Sequence, residues 1–430
     1  MFRDRARLLD ESPPSAGEPV QSASPFERLQ LTPKKEGWLP EIDGLRAIAA
    51  MSVIFHHLNG ALVDKYLLLP LANVAVAGFF SLSGFLLFFL FEREITAKGR
   101  IAINYYFRRR ALRIWPLYFA MILAGALISF LTGTLQKDLG LFFQLVTFSS
   151  NLWMAAFQAW PPNILPPFWS IGAEEHLYVM APILFLLTRR IGWVLGLAAP
   201  IAISTTWRVY SVATLPPEQA GQAGIYFATY SYVDIFLVGG LAALCYTHRE
   251  QLASHWLFKA AAAPIAVWGW LCMLLAVGAL WKISIFPPFK WYSPLIYNLL
   301  SVVLAGLLLA VLMNSGSAIS SLLRHPILRV LGILSYSMYA AHVAAIQLFQ
   351  YFSPRGAGVL AGAIHTVGVF ATVVVLSSIL YALVERPFQR LKARGSPSDG
   401  LQSTSVPWIT TLAIGLVTVG IANYVAWTLR

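Results

Sequence analysis

The stretch Gly44-Leu-Arg-Ala-Ile-Ala-Ala-Met-Ser-Val-Ile-Phe-His-His-Leu58 opens the first long apolar segment of the chain and carries Arg46 and His57 eleven residues apart. At about 100° per residue, eleven steps return to within about 20° of the start. On a helix both side chains therefore share one face, about 16 Å apart along the axis. Ionisable groups inside a membrane span cost free energy unless they are paired or wetted. Two of them aligned on one helix read as a polar track running into a bilayer.

The rest of the chain supports a bilayer setting. Its 430 residues are 58% hydrophobic and only 12% charged, with 14 tryptophans. This excludes a soluble protein and defines a polytopic membrane protein. Apolar segments long enough to span lie at about 44–62, 70–91, 112–132, 168–188, 191–211, 226–246, 261–281, 294–313, 329–350, 358–384 and 406–428. The predicted fold class is all-α, a transmembrane helical bundle of about ten core helices plus one extra C-terminal helix. The stretch 141–157 is apolar but dotted with polar residues and followed by Pro161, Pro162, Pro166 and Pro167, which predicts an interfacial or re-entrant segment.

Four regions follow. Residues 1–36, rich in Pro, Ser, Ala and charge without an apolar period, are expected to be a disordered cytoplasmic tail and not a signal peptide. Residues 37–390 form the membrane core, 391–405 a cytoplasmic linker, and 406–430 the extra helix. With the N-terminus inside, twenty-four of the 31 Lys and Arg residues fall on cytoplasmic segments and seven, Arg208 among them, on outer ones. That bias follows the positive-inside rule and sets the N-terminus on the cytoplasmic side; the expected location is the inner (plasma) membrane. The net charge of +12 thus reports orientation, and no nucleic-acid partner is expected. Cys245 and Cys272 have no metal-ligand spacing and read as structural thiols, and no metal site is expected.

Orientation allows depth to be estimated. His57 falls about 18 Å into a core of about 30 Å, and His342, in Ser335-Tyr-Ser-Met-Tyr-Ala-Ala-His342, at a similar height. Glu174 and Glu175, in Phe168-Trp-Ser-Ile-Gly-Ala-Glu-Glu-His-Leu-Tyr178, are expected about 9 to 10 Å below the outer surface. Three helices would then deliver the histidines and the carboxylate pair to nearly one layer. The alternative for His342, and for His176 beside the pair, is a satisfied interhelical hydrogen bond. On the cytoplasmic side, Phe107-Arg-Arg-Arg-Ala-Leu-Arg-Ile-Trp-Pro-Leu-Tyr118 places Arg110 and Arg113 at i, i+3 on one face, suited to gripping phosphates. Basic residues beside a span also serve simply as topology determinants.

These residues resemble the membrane acyltransferase family 3, whose members O-acylate sugars and some small molecules. The resemblance covers roughly Leu39 to Phe388. It rests on an ordered set: Asp43-Gly-Leu-Arg46 with His57, Phe79-Phe-Ser-Leu-Ser-Gly-Phe85, Arg109-Arg-Ala-Leu-Arg-Ile-Trp-Pro116, Trp169-Ser-Ile-Gly-Ala-Glu-Glu-His-Leu-Tyr178, Leu334-Ser-Tyr-Ser-Met-Tyr339 to His342, and Val384-Glu-Arg-Pro387. Two departures stand out. His56 replaces the usual apolar neighbour of the family histidine, and Tyr232 stands two residues before Asp234 where the family often has Arg.

The resemblance implies an O-acyltransferase, by default an O-acetyltransferase, with no permanently bound cofactor and with acetyl-CoA or another acyl-CoA as donor substrate. Deprotonating a sugar hydroxyl needs a base, and His57 suits that task. Glu174 or Glu175 is expected to orient the His57 ring. Arg46, Arg110 and Arg113 are expected to hold the donor phosphates while the pantetheine arm runs along the first helix to His57. Trp169, Tyr178, Tyr336 and His342 are expected to contact substrate. The acceptor would be a carbohydrate or glycoside, such as an O-antigen or exopolysaccharide, or alternatively a small glycoside such as a macrolide. The rival from another class is a transporter of a lipid-linked sugar, against which stands the lack of an internal repeat in the helix pattern.

Overall fold

The computed structural model describes residues 38–66, 70–157, 160–215, 225–284, 293–353 and 359–394. The tail expected over 1–36 and the helix expected over 406–428 lie outside the described residues. The linker expected from 391 begins as helix, continuous to Arg394.

The long helices are α1 (Pro40–Tyr66), α2 (Leu71–Lys98), α3 (Ile103–Leu131), and, after two short ones, α4 (Leu135–Val146) and α5 (Ser150–Phe157), α6 (Phe168–Ile191) and α7 (Trp193–Thr214). There follow α8 (Val233–Thr247), α9 (Pro264–Ser284), α10 (Ser293–Met313), α11 (Pro326–Phe352) and α12 (Val359–Leu380), with shorter turns between them. No strand occurs among the described residues. Eight of these helices are long and apolar enough to cross a membrane, counting α8 from Thr229 and α12 extended to Leu391. The two remaining long ones, α1 and α7, fall outside that set. The chain is a multi-pass membrane protein with an all-α bundle, and ten of the eleven expected segments are helices where the apolar pattern placed them.

Local chemistry sets the ends. Pro326 opens α11 at a position whose N–H has no intrahelical partner anyway, and the His325 ring accepts from the Ile327 N–H. Gly99 ends α2 with φ at 72°, a left-handed cap that glycine adopts without strain. The proline-flanked stretch forms the pair α4 and α5, hinged where Phe148 takes φ 57°. With 12 and 8 residues, neither is long enough to span.

Helix α8 starts seven residues later than the apolar run suggested. The carbonyls of Tyr230 and Ser231, which would feed a helical ladder, are taken by side chains of α7: Ser204 donates to the first and Arg208 Nη1 to the second at 2.7 Å. The sequence reading put Arg208 on an outer flank. Instead it is fully buried, its guanidinium forked onto Asp234 at 2.7 and 3.1 Å. A neighbouring helix therefore supplies the arginine that the motif around Asp234 lacks.

In the centre α1 runs along α11, while α2 packs along α8 and α8 along α10. The α2–α8 contact is backbone against backbone. A Cβ on Gly84 would lie 1.8 Å from the Phe236 carbonyl oxygen, and one on Gly239 would lie 2.2 Å from that of Ser81. Between membrane helices such close approach replaces hydrophobic drive with dense van der Waals contact.

Candidate active site

Five helices meet around a cavity of about 60 Å³ in the middle of the bundle. Helix α1 brings Arg46, α2 brings Ser83, α3 brings Arg113, α6 brings Glu174 and Tyr178, and α11 brings Ser335, Tyr336 and Tyr339. The groups are held by one another. Arg46 Nε donates to Ser335 Oγ at 3.1 Å, and Tyr336 donates to the Ile114 carbonyl at 2.7 Å, pinning α11 to α3. Glu174 accepts from both Ser83 and Tyr178, whose hydroxyls are 3.2 Å apart. Small hydroxyls satisfying a charge inside an apolar bundle offset the cost of its desolvation.

A second chamber, of about 120 Å³, adjoins the first on the side of the α3 N-terminus. Arg109, Arg110 and Arg113 line it with Tyr105 and Tyr106, and Arg113 and Leu86 belong to both chambers. The Arg110 guanidinium lies 4.9 Å over the Tyr178 ring and that of Arg109 5.3 Å over Tyr105. Cation–π contacts of this kind hold the arginines without spending their N–H donors, which stay available for an anion. Glu385 lies in a π-helical turn that breaks the regular ladder after α12, where it accepts from Ser337 and Gln389, each at 2.7 Å.

His57 does not line either chamber. Its ring centroid lies 4.9 Å from that of His342, which in turn lies 5.7 Å from Tyr339, and Tyr339 lies 6.0 Å from Phe79. Tyr339 therefore closes the inner cavity on the histidine side. It is fixed there by Ser170 at 2.6 Å and by the Pro167 carbonyl at 3.1 Å. Beyond it the two histidines share one pattern. His57 Nδ1 is 2.9 Å from the Val53 carbonyl and His342 Nδ1 is 2.7 Å from the Tyr339 carbonyl. A carbonyl can only accept, so each Nδ1 carries the proton and each Nε2 presents a basic lone pair. His342 Nε2 is buried with no partner among the described residues, whereas His57 is exposed.

The expected partnership of His57 with Glu174 or Glu175 is therefore absent, and the single polar layer divides into two. The depth estimate took the start of α6 as the outer surface. In fact Pro167 and Ser170 sit at the height of Tyr339, three residues below His342 on α11. Four to seven further residues down α6 put Glu174 about 10 to 15 Å below the histidines. Glu175 points elsewhere, reached by Trp115 Nε1 at 3.5 Å, with its second oxygen buried and unpartnered.

Of the other expected residues, Arg46, Arg113, Tyr178 and Tyr336 line the inner cavity and Arg110 the vestibule. His342 joins His57. Trp169 is buried 4.8 Å from Tyr226 and 5.1 Å from Phe227, and lines neither chamber. His176 Nδ1 pairs with the Thr229 hydroxyl at 2.8 Å, while its Nε2 is buried with no partner among the described residues. The sequence reading passed over Ser83, Ser335, Tyr339 and Glu385. All four lie inside the quoted motifs, and Ser335 and Tyr339 share a helical face at i, i+4.

Comparison with known proteins bears on this geometry. Residues 39–382 match the model of a family described as an acyltransferase domain. The chain belongs to that acyltransferase family. Among its curated relatives, a Staphylococcus aureus (strain MRSA252) protein provisionally named O-acetyltransferase is 23% identical over 402 residues, covering 89% of this chain and 62% of the relative. A Bacillus subtilis (strain 168) protein provisionally named peptidoglycan O-acetyltransferase is 25% identical over 396 residues, covering 89% and 60%. The peptidoglycan O-acetyltransferase OatA of Listeria monocytogenes is 24% identical over 323 residues, covering 72% and 50%. The chain thus spans between half and two thirds of the length of these relatives. No solved structure matches it.

Proposed function

We propose that this protein is a membrane O-acyltransferase that moves an acetyl group from acetyl-CoA, supplied on the cytoplasmic side, to a hydroxyl of a cell-envelope glycan, and that it lies in the plasma membrane with its N-terminus cytoplasmic. The observation that carries this reading is the histidine pair. Two adjacent imidazoles, each with Nδ1 tied to a backbone carbonyl, stand at the far end of a track that begins at an arginine-lined vestibule.

The roles follow from that order. Arg109, Arg110 and Arg113 receive the donor phosphates, with charge-assisted N–H donors matched to phosphate oxygens. Arg46 neutralises charge at the next level. The pantetheine arm passes Tyr339, which must yield its hydrogen bonds to Ser170 and Pro167, and brings the thioester to His57, about 16 Å from Arg46 along α1. His57 Nε2 takes the acceptor hydroxyl proton as the oxygen attacks the thioester carbonyl carbon. The C–S bond breaks, the acetyl group becomes an ester of the glycan, and the CoA thiolate leaves and takes up a proton. His342, fixed in the same tautomer, accepts or steadies that proton within the pair. Glu174, with Ser83 and Tyr178, belongs to the donor channel and does not orient the base.

Exposure of His57 gives the acceptor a way in from the outer half. The names of the Bacillus and Listeria relatives favour peptidoglycan over an O-antigen or exopolysaccharide as that acceptor. The test is transfer from radiolabelled acetyl-CoA in membranes containing the protein, with the labelled products separated into peptidoglycan, other polysaccharide and water-soluble acetate. Label in a glycan ester is expected. Uptake or export of a lipid-linked sugar without any acetyl transfer would replace this reading with a transporter.

A further inference from the structure

Glu94 is out of place in a chamber suited to an anion. Arg109, Arg110 and Arg113 line the vestibule, yet Glu94 stands with them as the one carboxylate among the residues that line it. None of the three arginines forms an ion pair with it; its partner is Lys98, four residues along α2, at 3.8 Å. The lysine is 45% exposed, and exposed pairs of this spacing are worth little and loosen easily. A carboxylate beside phosphate-binding arginines repels the phosphates, so its presence there calls for a group that donates to it. We propose that Glu94 accepts a hydrogen bond from the 6-amino group of the donor's adenine and so makes the enzyme selective for an adenine nucleotide. The inference rests on the acyl-CoA donor reading above and concerns the end of the donor farthest from the reacting thioester.

Glu94 stands where the donor's own covalent order puts the base. In a CoA thioester the 5′-diphosphate joins the pantetheine arm to the adenosine, so the adenine lies on the far side of the phosphates from the acyl group. Leu86 and Arg113 mark the junction between the vestibule and the inner cavity. Glu94 lies eight residues beyond Leu86 on α2, and Tyr105 eight residues before Arg113 on α3. Both therefore stand about 12 Å along their helices from the junction, on the side away from the histidine pair. Between them the walls are Leu87, Leu90 and Phe91 of α2 and Tyr105 and Tyr106 of α3, apolar and aromatic surfaces that suit the faces of a purine. These walls are braced: Tyr106 donates to the Tyr178 carbonyl at 2.8 Å, its ring meets Phe91 at 4.9 Å, and the Arg109 guanidinium lies 5.3 Å over Tyr105. Flat walls accept any base, so only a contact to the base edge can choose. Adenine presents an amino donor at position 6 where hypoxanthine presents an oxo acceptor, and an ionised carboxylate only accepts.

The test compares acetyl-CoA with the analogue in which hypoxanthine replaces adenine, as kcat/KM on full-length protein in nanodiscs with a glycan acceptor. A lost hydrogen bond to a charged group costs about 10- to 150-fold, and wild type should disfavour the hypoxanthine analogue by a factor in that range. Glu94→Gln, whose amide both donates and accepts, should use the two donors nearly alike, and so should Glu94→Ala, which offers neither group. Removing a negative charge from the vestibule strengthens phosphate binding of both donors equally, so the ratio between them reports the base contact and not the charge. A carboxylate that served only the Lys98 pair would move both donors together and leave the ratio as it was. Equal use of the two donors by wild type would overturn the proposal without any variant, as would a preference that Glu94→Gln and Glu94→Ala both retain. Failure of wild type to transfer from acetyl-CoA at all would instead sink the donor reading, and this inference with it.

Discussion

Replacing Asp234 by Leu should be among the most damaging single changes in the bundle. Its carboxylate takes both arms of the Arg208 fork, at 2.7 and 3.1 Å, together with Asn298 Nδ2 at 3.0 Å and the Ile235 N–H at 2.9 Å. Both charged side chains are fully buried. Removing one partner of such a pair leaves an uncompensated charge and costs about 3–5 kcal/mol. Arg208 keeps the Ser231 carbonyl at 2.7 Å, Ser204 at 3.3 Å and the face of the Tyr297 ring at 5.2 Å, too little to offset that loss. For a domain of this size the cost corresponds to a fall in Tm on the order of 10 °C, readable by size-exclusion of detergent-solubilised protein after heating. The double variant Arg208→Leu with Asp234→Leu removes both charges and should recover most of the loss, since replacing a buried pair by apolar groups is often near neutral. A double variant as unstable as Asp234→Leu alone would refute the idea that the orphaned guanidinium is the cause. An Asp234→Leu protein within about 1 kcal/mol of wild type would refute the pairing itself.

Other outcomes follow from the same structure. Arg113→Ala removes the arginine shared by both chambers and should raise KM for acetyl-CoA by about 10- to 150-fold, the worth of a hydrogen bond to a charged group, with little change in KM for the acceptor. Steady-state kinetics with each substrate varied in turn checks the split. Gly84→Val should abolish well-folded protein, because its side chain would occupy the space of the Phe236 carbonyl; size-exclusion profiles decide this. His342→Ala should lower kcat more than it changes either KM, measured in the same assay, because the ring touches His57 and neither chamber.

The helices were legible because apolar runs of sufficient length have few alternatives in a bilayer, and the Arg46–His57 track because a helix has one period. Both held: Arg46 meets Ser335 and His57 meets His342 along the same pair of helices, α1 and α11. What could not be read was depth on α6. The position of Glu174 depends on how far the segment 135–167 sinks its start into the bundle, and no local pattern records that. Arg208 was misplaced for a related reason. A basic residue near a segment end resembles a topology flank, and only tertiary structure brings Asp234 to it from α8. The hydroxyl-bearing residues Ser83, Ser335 and Tyr339 were visible within their motifs, but which charge each would satisfy depends on helices far away in sequence. Trp169 carries the opposite lesson, since an aromatic beside a candidate acid turned out to pack against Tyr226, Phe227 and Tyr232.

The role of His57 is tested most directly in proteoliposomes with labelled acetyl-CoA on the vestibule side only and a soluble glycan acceptor on the other. Wild type should place label on the acceptor across the membrane, while His57→Ala, showing the same size-exclusion profile and the same acetyl-CoA binding, should place none. Transfer by a well-folded His57→Ala protein at the wild-type rate would contradict the assignment of that imidazole as the base.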